Sequence, residues 1–332
     1  MWTKRLGIGL AAALTIGTVA GVLALNSRTG SEPAGPPGDC HADGRTIVTT
    51  PPGMSTSTYA PRPADDSSFD AAGTTWEPDL STYPIDIDPG AARLCWVGGT
   101  VRGAIPSDMT WETAHTLNQP CLRMVATEWM VIDGLRCSRT DDGLRPREIS
   151  TGAQNVTITV RDTYLTDIHD DCLENDGIIG GVLRDGLWDG CYTGISERPS
   201  AAQGSFPQPS SETLTLDHML IGLQSFPYGS GLGENALFKW SDSANALIIK
   251  CSVFKVDSTS VNGADTMAIP GMVDDSACPE HPTTLVWLGG GTYPGHVPPG
   301  IDVTSDVAVW DRAVAAWERR HADASGVSSV SG

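Results

Sequence analysis

Positive charge is scarce in this sequence. Lys and Arg number 21 against 40 Asp and Glu, so the 332-residue chain carries a formal net charge of -19. A field of that sign repels a phosphate backbone, which argues against nucleic acid as a partner. It also repels a polyanionic polysaccharide unless a basic groove or a metal ion reverses it locally. Aromatic residues are few, 6% of the chain, whereas Gly (37) and Pro (23) abound. That mix suits many short strands and turns better than long helices. Several chemistries lack their motif. There is no C-x-x-C or Cys/His cluster for structural zinc, no H-E-x-x-H helix and no G-x-S-x-G elbow, and the Gly-rich stretch Trp287 to Gly295 lacks the Lys-Ser/Thr of a phosphate loop.

What is present begins with an export signal. Lys4 and Arg5 precede an uncharged apolar run from Leu6 to Leu25, long enough to cross a bilayer as a helix and without a clear A-x-A cleavage site. The expectation is an extracytoplasmic protein, either secreted or anchored through residues 1–30. Membrane contact is expected only through that segment. The even number of cysteines behind an export signal favours disulfides, and spacing leaves their pairing open.

Residues 31–91 hold ten of the 23 prolines and read as a linker followed by a loop-rich approach to the fold. From residue 92 to about 260 the pattern changes to short apolar-alternating runs, each followed by Gly, Asp or Asn. "VIDGLRC" from Val131, "ITVRDTYLTD" from Ile158, "GVLRDGLWDG" from Gly181, "LTLDHMLIG" from Leu214 and "LIIKCSVFKV" from Leu247 repeat one pattern. An offset of 22 sets Leu165 over Leu187 and Leu173 over Ile195, whereas an offset of 23 matches Asp162 with Asp185 and Glu174 with Glu197. Residues 261–332 read as loop-rich, with an amphipathic helix near 305–321. There Val307, Trp310, Val314 and Trp317 recur at helical spacing after a Thr304/Ser305 cap, and the helix is expected to cover an edge of the fold.

These runs resemble the coils of right-handed parallel β-helix proteins, the architecture of pectate lyases, polygalacturonases and phage tailspikes. The resemblance implies an all-β fold: a right-handed parallel β-helix with a short C-terminal helix. A repeat of this kind carries an architecture and not an activity.

The stretch "HDDCLENDG", His169 to Gly177, concentrates acids on one strand and its turn. With Leu173 inward, alternation sends Cys172, Glu174 and Asp176 outward. Matching Leu144 to Leu173 then puts Arg145 beside Glu174 and Arg147 beside Asp176, and the next coil adds Glu197. Like charges held this close raise one another's pKa, which keeps a carboxylic acid protonated near neutral pH. The expected site is therefore Asp170, Asp171 and Glu174 at the centre, with His169, Glu197 and Arg145 in support. Asp171, Glu174 and Asp176 are also candidate oxygen ligands for a hard cation such as Ca2+. "DDC" at Asp170 to Cys172 is similar to the "DDC" strand of polygalacturonases, whose paired Asp residues are catalytic. That family's "NTD", "GHG" and "RIK" have no counterpart here. "LTLDHM" looks like the "IDH" strand of pectate lyases, and "RPR" at Arg145 to Arg147 is similar to their arginine motif. The resemblance implies action on polysaccharide, by hydrolysis or by elimination. The alternative is a noncatalytic cell-surface module that binds carbohydrate or a partner.

Overall fold

A computed structural model describes residues 40–42, 44–148, 156–198, 212–278 and 282–325. The apolar run Leu6 to Leu25 lies outside them. Among the described residues no helix is long and apolar enough to cross a membrane.

The strands assemble into three parallel ladders, which the chain visits in a recurring order. The first ladder runs from Thr46–Thr49 through Ser67–Asp70, the second halves of Ile85–Val97 and Pro120–Asp133, Thr157–Arg161, Gly180–Arg184, Thr213–Asp217 and Ala246–Lys250 to Met272–Val273. The second runs from Gly53–Ser55 through Thr74–Trp76, Thr100–Arg102, Arg136–Thr140, residues 164–168 and 187–191, Leu220–Leu223, Val253–Val256 and Thr284–Trp287 to Asp302–Thr304. The third joins residues 85–87 and 120–126, Asp142–Glu148, residues 171–174 and 195–197, and Phe238–Trp240. One apolar core draws on all three, with Leu122, Leu144, Leu173, Ile195 and Phe238 as the third ladder's inward column. A separate antiparallel hairpin, Phe226–Tyr228 with Gly231–Gly233, stands off the ladders.

Parallel pairing therefore extends past the 92–260 bounds on both sides. The prolines of the 31–91 segment mostly fall at bends: Pro51 and Pro52 lie between Thr46–Thr49 and Gly53–Ser55, and Pro61 and Pro63 precede Ser67–Asp70. Pro89, inside Ile85–Val97, coincides with a register shift between Ile87 and Ala91. Proline lacks the ladder donor, so corners and bulges are where a strand-rich chain tolerates it.

The bend from first to second ladder repeats a left-handed residue on successive rungs: Gly98, Gly134, Asp162, Asp185, His218 and Cys251, with φ between 48° and 69°. Glycine adopts this conformation freely and Asp tolerates it; Cys251 is bridged to Cys278 and its amide donates to Asp275 Oδ1 at 2.7 Å. His218 is thus a corner residue, bonded to neighbouring Asp217.

The two candidate offsets are both realised, in different parts of the same rung. Thr159 pairs with Val182 and Leu165 with Trp188, an offset of 23, whereas Leu173 pairs with Ile195 and Glu174 with Ser196, an offset of 22. The change falls at an irregularity between Ile168 and Asp171. Leu187 therefore lies opposite Tyr164 and not Leu165. It is buried beneath the C-terminal helix, not in the main core. Alternation from Leu173 places Cys172 outward, whereas the structure puts it in the apolar core. It is fully buried and bridged to Cys191.

All eight cysteines pair, as 40–95, 121–137, 172–191 and 251–278, which fits an extracellular or oxidising environment. The helices are α1 (Trp111–Leu117) and α2 (Ala308–Ser325). α2 starts slightly later than expected, with Asp306 Oδ1 accepting from the Ala308 amide at 3.1 Å. It lies along the second ladder and not over an open end, because Trp310 and Trp317 pack on Leu187, Leu220 and Val286.

Replacing Cys172 and Cys191 together by Ala opens a loop with a sequence separation of 19. Chain entropy puts the loss at about 3 kcal/mol. Urea unfolding should show a midpoint lowered accordingly, and an unchanged midpoint would remove this bridge from the forces holding the site rung.

Candidate active site

The third ladder builds the site from one outward column. Asp86 pairs with Arg123, Arg123 with Arg145, Glu174 with Ser196, and Ser196 with Lys239. Leu144 opposite Leu173 sets Arg145 beside Glu174, as the sequence suggested. Arg145 forms ion pairs with both Glu174 and Asp142. Gly143 allows the two strands to close: a Cβ there would lie 2.5 Å from the Cys172 carbonyl oxygen.

Lys239 is the hub. Its Nζ lies 2.9 Å from Asp170 Oδ1 and 2.6 Å from Asp171 Oδ1. Asp170 also accepts from Trp111 Nε1 at 3.2 Å and from His115 Nδ1 at 2.6 Å, and its amide donates to the Asp141 carbonyl at 2.7 Å. The Asp171 amide donates to Asp142 Oδ1 at 3.2 Å. Asp170 and Asp171 both face Lys239 although they are adjacent in sequence. Asp167, with φ 55°, and the register irregularity turn the chain just before them.

The protonation states diverge sharply across these few residues. Burial pushes the Asp170 carboxyl up, but Lys239 and His115 outweigh it and hold Asp170 well below the usual carboxylate range. Asp171 is raised to about 6 by burial and by Asp170, against the pull of Lys239. Glu174 is raised to about 7 by burial, opposed by Arg145 and reinforced by Asp176 and Asp171. Burial with Asp142 and Asp170 nearby lifts Asp141 to about 10, so it is a neutral acid at pH 7. Burial likewise raises Asp142 well above its ordinary value. The bond to Asp170 raises His115 to about 9.

α1 and the hairpin roof this cluster. Trp111 stacks with His115 and with Tyr192, ring centroids at 4.8 and 5.3 Å, and Tyr228 of the hairpin lies at 5.7 Å. Glu112 Oε1 accepts from the Gly229 amide at 3.0 Å and ties helix to hairpin. With three rings against it, Trp111 fastens α1 to the ladder and to the hairpin.

Of the residues expected from sequence, Asp170, Asp171, Glu174 and Arg145 come together. Asp176 adjoins them through Glu174. His169 does not join them: it is fully buried against Phe226, with ring centroids 4.1 Å apart, and burial lowers it to about 4. Glu197 is also fully buried and accepts from Asn175 Nδ2 at 2.6 Å and from the Asn245 amide at 2.8 Å. It fastens two turns together instead of facing the acids. Sequence reading missed Asp141, Trp111 and His115. The latter two reach the site from a helix far along the chain. Lys239 was visible only as a lone base in "LFKW".

The expected cation trio, Asp171, Glu174 and Asp176, is not the set whose oxygens converge. Asp142, Asp170 and Asp171 are, with ligand atoms within 4.8 Å of one another. The Lys239 ammonium already stands against two of those three carboxylates, and Arg145 holds the third. The residues therefore do not fit a calcium ion, and no step is assigned to one.

The His115–Asp170 contact gives a pH signature. His115 has its pKa raised in the fold, from 6.5 to about 9. The stability it confers is thus complete below about pH 6.5 and is lost as pH rises through about 9. His115→Asn should lower the melting temperature at pH 6 and leave it nearly unchanged at pH 10; an equal loss at both would detach His115 from the charge on Asp170. No protein-family model, curated protein or solved structure matches this chain.

Proposed function

We infer that this chain is an extracytoplasmic glycoside hydrolase acting on polysaccharide, its three ladders closing as the faces of a right-handed parallel β-helix. The observation that carries the reading is the spread of protonation across neighbouring carboxyls. Asp170 is held ionised, Asp171 is raised to about 6 and Glu174 to about 7. Glycoside hydrolysis requires such a division: a protonated acid for the leaving oxygen and a carboxylate that activates water or attacks carbon. Glu174, partly open to solvent, is the proton donor in this scheme. Asp171 is the carboxylate, and Asp170 with Lys239 fixes its position and charge.

Elimination needs an uncharged base. Lys239 and Arg145 have raised pKa values because their carboxylate partners outweigh the effect of burial, His115 is raised to about 9, and burial raises Tyr192. Each of them keeps its proton at neutral pH, which favours hydrolysis. The alternative, a noncatalytic carbohydrate-binding or interaction module, draws support from the depth of the acids: Asp170 and Asp171 are 3% and 5% exposed.

Hydrolysis by this scheme has a bell-shaped pH dependence. Turnover falls below about pH 6 as Asp171 takes up a proton, and above about pH 7 as Glu174 loses one. Asp171→Asn or Glu174→Gln should reduce turnover about 10²- to 10⁴-fold while the melting temperature stays close to wild type. Release of reducing ends from a polysaccharide panel is the measurement. Full activity of Asp171→Asn on an identified substrate would sink the assignment. Unfolding of that variant, with no turnover by wild type on any polymer, would favour the noncatalytic module.

A further inference from the structure

The corner between the first and second ladders sets Asp162 and Asp185 on successive rungs, the pair matched in the sequence by an offset of 23. Both take the left-handed conformation of that bend, which accounts for a small polar residue at each position. The bend does not account for what α2 aims at them. His321, 8% exposed, directs Nε2 to within 3.3 Å of Asp162 Oδ1 and 3.6 Å of Asp185 Oδ2.

The ring is fixed from its other side. Nδ1 lies 2.8 Å from the Trp317 carbonyl oxygen, and the imidazole stacks on the Trp317 indole with centroids 4.1 Å apart. A carbonyl oxygen only accepts, so Nδ1 carries a proton, and Nε2 of the neutral ring turns its lone pair toward two carboxylates. A second proton or a metal ion on Nε2 would relieve that repulsion, and distance separates the two. A charge-assisted N–H···O bond closes to about 2.7–2.9 Å, whereas ligands about 2.05 Å from a tetrahedral ion stand about 3.3 Å from one another. The His115–Asp170 contact, at 2.6 Å, has the length of a direct bond; the two contacts of His321 have the spacing of ligands around an ion. Arg320 engages Asp185 Oδ1 at 2.6 Å and leaves Oδ2 to face the imidazole, an outer contact of the kind that orients a ligating carboxylate. It offsets one of the two carboxylate charges, so one remains for a cation.

Four other groups of Asp, His and Cys converge among the described residues, and each is already committed. Two include Cys251, whose sulfur is bridged to Cys278. Asp142, Asp170 and Asp171 face Arg145 and Lys239. The last joins His115 and Asp170, bonded to each other, to the neutral acid Asp141.

We propose that Asp162, Asp185 and His321 hold a first-row divalent cation, Zn2+ being the best fit, with solvent completing its shell, and that this ion fastens α2 to two corners of the ladder. One imidazole and two carboxylates suit such an ion, whereas Ca2+ and Mg2+ take shells of oxygen. The site stands apart from the carboxyls of the hydrolase reading and does not depend on it.

The test uses the full chain without a histidine tag, stripped with EDTA and returned to metal-free buffer. Titration with Co2+ should produce the visible d–d absorption of a four-coordinate ion, saturating at a single Co2+ per chain and displaced by Zn2+. A hundredfold excess of Zn2+ over its Kd should raise the melting temperature by about 4 °C, and Ca2+ should not. Asp162→Asn and His321→Gln should each lose the absorption and the shift, whereas His218→Gln, altered at another corner, should keep both. Asn tolerates the left-handed conformation, so Asp162→Asn carries the test even if His321→Gln does not fold. Absence of both signals in the stripped wild type would overturn the proposal and leave His321 as the cation of an ordinary ion pair. Signals that persist in Asp162→Asn, or an equal shift with Ca2+, would overturn it as well.

Discussion

One ammonium group makes the acidic site possible. Two adjacent carboxyls as deeply buried as Asp170 and Asp171 cannot both stand near an ionised state without a countercharge at close range. Lys239 supplies it from two rungs away, across the small side chain of Ser196. Its contacts are unequal in effect, because Asp170 also receives His115 and Trp111 whereas Asp171 does not. That asymmetry divides two chemically identical side chains into an anion and a group that titrates near neutrality. Arg145 does comparable work one rung earlier, joining Asp142 to Glu174 while Asp176 and burial keep Glu174 from falling to an ordinary value.

The parts legible in sequence were those governed by local repetition. Parallel strands follow from apolar runs that recur along the chain, spaced 22 or 23 residues apart for the best-matched pair and wider for the others, and the Arg145–Glu174 pairing follows from setting Leu144 over Leu173. Strict alternation failed at Cys172, which lies in the apolar core beside Leu173 and is bridged to Cys191, and the change of offset between Ile168 and Asp171 has no side-chain pattern to mark it. Proline content also hid strands: in the part of the 31–91 segment from Thr46 onward, read from sequence as linker and loops, the chain forms strands, and proline mostly sits where they end.

The site was half legible. Its acids share one stretch of chain and announce themselves by density. Their partners come from residues 111, 115, 141 and 239, brought in by stacking and by the excursion that carries α1. A helix of that length has no amphipathic signal strong enough to say which strand it roofs. His169 shows the converse: membership of an acidic stretch did not put it in the site, because the chain turns between Asp167 and Asp171 and leaves the imidazole against Phe226.

The C-terminal helix changes how such a stack comes apart. A ladder in which each rung touches only its neighbours tends to lose rungs from its ends, one interface at a time. α2 lies across Tyr164, Leu187, Leu220, Val253 and Val286, which belong to five rungs of the second ladder. Its Trp317 Nε1 donates to the Asp185 carbonyl at 2.7 Å, and Arg320 holds the Asp185 carboxylate at 2.6 Å. The helix acts as a splint: peeling away a late rung also strips apolar cover from the rung that carries Asp170 and Asp171. Loss of order at one end is thereby felt at the middle, and a nearest-neighbour array acquires the cooperativity of a single folding unit.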